Sequence, residues 1–186
     1  VLARAVDFAR FEATGPLARL APGWIAQGKV TPLHYELGRA KDLDERRALV
    51  EWHRAWGRKV EAVITPLRPA PASAPPAAPA VVTGRRIRVG FMSSDLRHHP
   101  VSYFALPLLE LYDRERFEVH CYSFYEGAAD RVQTLIASKV DGFNWWPRRP
   151  DAQVAEGIAA DDLDVLFELG GGTDMNKLQV MAWRPA

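Results

Sequence analysis

Apolar residues in the first 64 positions recur every three or four residues, the spacing that places them on one face of an α-helix. The clearest run comprises Leu49, Trp52, Trp56, Val60 and Val63. Two shorter helices are predicted before it, over residues 6–11 and 17–25, with breaks at Gly15-Pro16 and Pro22-Gly23. The pattern therefore predicts an α-helical region over residues 1–65.

The pattern stops at residues 66–84, which consist largely of proline and alanine. Proline lacks a backbone donor and fixes φ, and the segment has few side chains to bury. This composition predicts an extended, exposed linker that a protease should cut first.

From Arg86 onwards, short apolar runs alternate with segments of helical periodicity. Strands are predicted at 87–91, 117–124, 143–146 and 165–168, and helices at 101–112, 129–137, 152–159 and 174–182. Alternation of this kind is typical of a parallel sheet with helices on both faces. Residues 85–186 are therefore predicted to form an α/β domain, preceded by the α-helical segment.

Charge and composition exclude several partners. The 24 basic and 23 acidic residues are spread along the chain, so no basic surface is expected for nucleic acid or an anionic membrane. The single cysteine, Cys121, lies in an apolar strand and is expected in the core. No apolar stretch approaches the ~20 residues of a membrane span, which favours a cytoplasmic protein. The first residue, Val1, and the abrupt end after Arg184-Pro185-Ala186 suggest a piece of a longer protein.

Two loops carry candidate chemistry, because ligands of parallel sheets bind beyond the carboxyl ends of the strands. The first loop, residues 92–104, holds Asp95 and His99. Histidine accepts protons near neutral pH and a nearby carboxylate can orient it, so His99 is a candidate base with Asp95 as its partner or substitute. Alternatively, Asp95 caps a turn and the histidine is an ordinary loop residue.

The second loop, residues 168–177, contains Gly170-Gly171-Gly172-Thr173. Glycine permits close backbone approach, so a phosphate or sugar could lie there, although a purely geometric turn fits equally well. Neither a Walker loop nor GxGxxG is present. The Asp162-Leu163-Asp164 triplet matches a metal-binding pattern of sugar transferases, but it precedes a strand. We therefore interpret it as a turn with solvated acids.

Several segments together carry a family resemblance. The first are 88–95 (RVGFMSSD), 99–104 (HPVSYF) and 117–122 (FEVHCY). The later ones are 165–173 (VLFELGGGT), 176–178 (NKL) and 181–186 (MAWRPA). In this order and spacing they resemble the first catalytic half of the O-GlcNAc transferase and SPINDLY family of protein O-glycosyltransferases. The later segments are especially similar to the SPINDLY branch.

The resemblance implies a GT-B enzyme with two Rossmann-like lobes, of which residues 85–186 would be the N-terminal lobe and the C-terminal catalytic lobe would be missing. It implies inverting transfer without a metal or other cofactor. The family's proton-handling residues map onto His99 and Asp95, and its substrate contacts onto Pro100, Val101, Gly171 and Thr173. A histidine of the helical region that joins tetratricopeptide repeats to the catalytic domain maps onto His34. The triple glycine replaces a more polar family loop.

The function implied is transfer of a sugar from UDP-GlcNAc or GDP-fucose to serine or threonine hydroxyls of acceptor polypeptides. The alternative is a module of the same fold that binds a nucleotide sugar or a protein without catalysis.

Overall fold

The computed structural model describes residues 8–68 and 84–186 of the chain. Two compact units are present, one up to Val63 and the other from Ile64 onwards. In the described part of the chain, no helix is both long and apolar enough to cross a bilayer.

The first unit is helical, as predicted. Its helices are α1 (Phe8–Ala13), α2 (Leu17–Ala26), α3 (Thr31–Tyr35), a 3-10 helix (Glu36–Gly38) and α4 (Leu43–Ile64). The start of α4 is fixed by reciprocal capping: Asp42 accepts the backbone N–H of Glu45, and Glu45 accepts that of Lys41. The buried side chains of this unit include Ala21, Val30, Leu33, Leu49 and Trp56.

Two details of the predicted helices are wrong. The expected break at Pro22-Gly23 is absent, because α2 continues through Pro22. The last turn of α2 remains hydrogen-bonded, because the backbone N–H and the side-chain amide of Gln27 both donate to the carbonyl of Gly23. The apolar face of α4 is also shorter than expected, since Val63 is 58% exposed. Of the first predicted helix, residues 6 and 7 lie outside the described part.

In its described residues the second unit is an α/β domain with four parallel strands, which confirms the predicted fold class. The strands are β1 (Ile87–Ser93), β2 (Phe117–Ser123), β3 (Gly142–Trp145) and β4 (Val165–Glu168). The connecting helices are α5 (Pro100–Leu111), α6 (Arg131–Lys139) and α7 (Asp151–Ala160). The strand order is β3-β2-β1-β4.

This order places the helices on both faces of the sheet. The chain runs from β1 through β2 to β3, and β4 then pairs with the free side of β1. Because parallel crossovers are right-handed, this reversal of direction places α7 on the opposite face from α5 and α6. One buried cluster lies on the α5 and α6 side and contains Phe91, Leu96, Leu109, Val119, Cys121, Val132 and Ile136. The other includes Met92, Tyr122, Phe124, Val154, Ile158 and Val180. Cys121 is a core residue, and burial raises the pKa of its thiol to about 12.

The predicted closing helix at 174–182 is wrong. Met175 has a left-handed φ of 62° and Lys177 has φ −115° and ψ 50°, neither of which continues an α-helix. The segment forms instead a 3-10 helix over Leu178–Trp183.

Most of the predicted linker lies outside the described residues. At its start, Thr65–Leu67 form a 3-10 helix, and Arg68 Nε donates to the carbonyl of Ala182 at 2.6 Å. This first part is therefore attached to the second unit.

Ion pairs stabilise the end of the sheet at which β1 and β4 begin. Arg85 lies 2.7 Å from Asp164, and Arg88 lies 2.9 Å from Asp162. Asp164 also accepts the backbone N–H of Arg88. Both aspartates of the Asp162-Leu163-Asp164 triplet thus pair with arginines. The triplet precedes β4, at the end of the sheet remote from the two loops described below.

Candidate active site

The site lies where the strand order reverses. β1 and β4 are neighbours, yet their connections leave towards opposite faces, and such a switch point opens a crevice at the carboxyl ends of the strands. Two loops emerge there: residues 94–99, here called the β1 loop, and residues 169–177, here called the β4 loop. The structure therefore brings the two loops singled out in the sequence to one place.

Asp95 is the buried acid of the β1 loop, with 6% of its surface exposed. Its backbone N–H donates to Ser93 Oγ at 3.0 Å, and its carbonyl accepts the hydroxyl of Ser102 at 2.7 Å. Its carboxylate Oδ1 lies 3.2 Å from the guanidinium of Arg97 and 3.7 Å from His99 Nε2. The hydrogen-bonded partner of this oxygen is therefore Arg97, and His99 is a longer-range neighbour.

His99 is the N-cap of α5. Its Nδ1 accepts the backbone N–H of Val101 at 3.3 Å, and Pro100 occupies the first helical position. A backbone amide can only donate, so Nδ1 carries no proton and the neutral ring has its proton on Nε2. In this arrangement the donor at Nε2 lies 3.7 Å from Asp95 Oδ1, and Nδ1 is engaged by the helix.

Arg97 is a residue that the sequence analysis did not single out. Its guanidinium lies over the ring of Tyr125, 4.5 Å from the centroid, while it pairs with Asp95. Its backbone N–H donates to Ser102 Oγ at 3.0 Å. Arg97 therefore links the Asp95 carboxylate to the Tyr125 ring and, through its backbone, to Ser102 of α5.

The Glu168 side chain, at the end of β4, is hydrogen-bonded to the backbone of the β4 loop that follows it. Its carboxylate accepts the N–H groups of Gly170 at 2.8 Å and Gly171 at 2.6 Å. The pKa of Glu168 is raised overall. Burial and the negative charge of Asp95 raise it, and together they outweigh the two amide N–H groups, which lower it. The amides that could have cradled a phosphate therefore already hold a carboxylate.

Asn176 joins the two loops. Its Oδ1 accepts the backbone N–H of Ser94 at 2.7 Å, and its Nδ2 donates to Thr173 Oγ1 at 2.6 Å. The hydroxyl of Ser94 adds a second link by donating to the carbonyl of Asp174 at 3.2 Å. Glu168 and Asn176 both fall within the loop of residues 168–177 that the sequence singled out. The contact of Asn176 with Ser94 depends on the strand order, so no local sequence pattern indicates it.

The expected substrate contacts have the following surroundings. Pro100 is exposed and Val101 half-buried at the start of α5. Gly171 has a left-handed φ of 58° and donates to Glu168, while the Thr173 hydroxyl donates to the carbonyl of Gly170 at 2.7 Å. His34 belongs to α3 of the helical unit, with its ring 5.8 Å from that of Tyr35. A substrate role for these residues stays a prediction.

Comparison with known protein families decides the classification. The family model described as glycosyl transferase family 41 matches residues 44–186. The chain belongs to glycosyl transferase family 41. The matched range contains the β1 and β4 loops with Asp95, His99, Glu168 and Asn176, whereas His34 lies outside it.

Curated relatives of this family 41 chain are named as peptide N-acetylglucosaminyltransferases. It is 30% identical over 107 residues to the UDP-N-acetylglucosamine--peptide N-acetylglucosaminyltransferase of Caenorhabditis elegans, covering 57% of this chain and 9% of the relative. It is 30% identical over 141 residues to the probable enzyme SPINDLY of Solanum lycopersicum, covering 74% of this chain and 14% of the relative. The chain thus spans about a tenth of the length of the curated relatives it matches.

A solved structure supports the same fold. A K341M mutant of Thermobaculum terrenum O-GlcNAc transferase superposes with a TM-score of 0.57 at 30% identity, covering 89% of this chain and 33% of that one. Family, relatives and fold together agree with the resemblance to the O-GlcNAc transferase and SPINDLY family.

Proposed function

We propose that the gene product containing this chain transfers a sugar from a nucleotide-diphosphate donor to serine or threonine hydroxyls of polypeptides. The observation that carries the proposal is the buried Asp95, flanked by Arg97 and His99 in the switch-point crevice of a family 41 domain. The names of the relatives in worm and tomato support GlcNAc transfer to peptides. Transfer of fucose from GDP-fucose is the second donor chemistry to be tested.

The proposed step is a single displacement at the anomeric carbon. The bond from the acceptor oxygen to that carbon forms as the bond to the diphosphate oxygen breaks, and the diphosphate leaves with the electron pair. The hydroxyl proton goes to Asp95, because His99 Nδ1 already accepts the amide N–H of Val101. His99 Nε2–H would donate a hydrogen bond to a substrate oxygen.

The charge of the departing diphosphate would be met outside the β4 loop. Gly170 and Gly171 N–H are occupied by Glu168, which supports placing the phosphate-binding groups in the remainder of the gene product. A metal-free reaction belongs to the same proposal, and it is supported by the pairing of Asp162 and Asp164 with arginines.

A donor panel tests the proposal. The full gene product is incubated with labelled UDP-GlcNAc or GDP-fucose and a serine- and threonine-containing acceptor protein, and the modified residue is mapped by mass spectrometry. We expect one donor to label hydroxyl side chains. Saturable donor binding without labelling would instead favour the non-catalytic binding module.

A further inference from the structure

The side chain of Asn176 bridges the two loops of the site. One end accepts from the backbone of Ser94, and the other donates to Thr173, whose hydroxyl in turn donates to Gly170. Ser94 is fully buried, so this bridge replaces hydrogen bonds that water cannot supply. One amide therefore fixes the backbone of the β1 loop to that of the β4 loop.

Gly170 makes the room for this amide. A Cβ at Gly170 would overlap the Nδ2, Cγ and Oδ1 atoms of Asn176, with no other atom among its nearest contacts. Gly170 is not one of the glycines with a left-handed φ, so the requirement for glycine is the Asn176 side chain itself. The first glycine of the triplet thus serves the bridge.

The bridge reaches Asp95 through one intermediate. The hydroxyl of Ser93 donates to Asn176 Oδ1 at 3.3 Å and accepts the backbone N–H of Asp95 at 3.0 Å. From the other side, Ser102 of α5 holds the carbonyl of Asp95. Without Asn176 the Asp95 backbone would keep its bonds to Ser93 and Ser102, but the Ser93 hydroxyl and the Ser94 N–H would lose their acceptor on the β4 loop.

We propose that Asn176 is a positioning residue of the switch-point site, whose side-chain amide fixes the β1 loop, and with it the Asp95 carboxylate, for sugar transfer. The inference rests on the proposed function for its kinetic consequence. The structural part of the proposal is that position 170 must be glycine because the Asn176 side chain occupies the space beside it. This part does not depend on any activity.

Thermal unfolding of the full gene product tests the structural part. Gly170→Ala alone should lower Tm by about 5 °C, the scale of a lost internal contact in a domain of this size. In the Asn176→Ala background the same Gly170→Ala change should shift Tm by less than about 2 °C. An equal loss in both backgrounds would overturn the bridge, whether or not the protein transfers sugar.

Transfer kinetics test the positioning role. Asn176→Ala should lower kcat about 10-fold with little change in the donor KM, because the residue acts on geometry and not on donor binding. In the Asp95→Asn background it should cost less than about 2-fold. Independent, multiplicative losses would overturn the role. The matched control is Gln179→Ala, which removes an amide that donates to Asp151 outside both loops and should leave kcat unchanged.

Discussion

The Nδ1 atom of His99 accepts the backbone N–H of Val101 at 3.3 Å. This hydrogen bond gives the histidine two separable roles, because the ring caps α5 through Nδ1 and faces Asp95 through Nε2. Asparagine is a strong N-cap residue, and its shorter side chain has no atom at the position of Nε2, so substitution can divide the two roles.

We expect His99→Asn to keep the helix cap and to lose the donor that Nε2 places 3.7 Å from Asp95 Oδ1. Its Tm should stay within about 2 °C of the wild type, since the cap survives, while turnover of the full gene product should fall about 100-fold. His99→Ala should lose both. Steady-state transfer assays and thermal melts of the two variants check this. If His99→Asn turns over normally, His99 serves only as a cap.

Glu168 should give the folded protein an unusual pH dependence. Its pKa is raised in the folded state, so the folded form holds this proton more tightly than the unfolded chain does. The stability contributed by Glu168 is therefore complete below its ordinary pKa of 4.5 and is lost as pH rises through the higher folded value. Relative to wild type, Glu168→Gln should therefore gain free energy of unfolding as the pH rises above 4.5. Urea unfolding at a series of pH values measures it, and a constant difference would show that Glu168 is not perturbed.

The contribution of Asp141 to stability should change with pH in the direction opposite to that of Glu168. Burial opposes its ionisation, but bonds from the Val119 amide, Arg86 and Tyr112 prevail and lower its pKa to about 2. Its stabilisation is present above its ordinary pKa of 3.8 and is lost as pH falls towards 2. Asp141→Asn should cost about 1 kcal/mol at pH 7, after allowance for solvent screening, and the cost should shrink as pH falls below 4. Acid unfolding of the variant beside wild type is the measurement. A cost that persists at pH 2 would contradict the ionic origin.

The sheet was largely predictable because alternating apolar runs bury both faces of parallel strands. β4 was placed at its observed bounds of Val165–Glu168. The loops could be selected because they follow β1 and β4, but their meeting depends on β4 returning beside β1, which no local pattern encodes. The link from Asn176 to Ser94 follows from that return, whereas the link from Glu168 to Gly171 is local to the β4 loop. The expected helix at 174–182 failed for a local reason, the left-handed backbone at Met175.

A comparison of two aspartates at opposite ends of the sheet tests the central claim most directly. Asp95 lies at the carboxyl end beside Arg97, and Asp162 lies at the amino end beside Arg88. Asp162 has a left-handed φ of 48°, which asparagine tolerates well, so Asp162→Asn is a mild matched substitution. The measurement is single-turnover sugar transfer by the full gene product, with and without EDTA. We predict that Asp95→Asn lowers the rate about 100-fold, while Asp162→Asn and EDTA each change it less than about 2-fold. Loss of transfer in Asp162→Asn or with EDTA, and retention in Asp95→Asn, would contradict a metal-free site at the β1–β4 switch point.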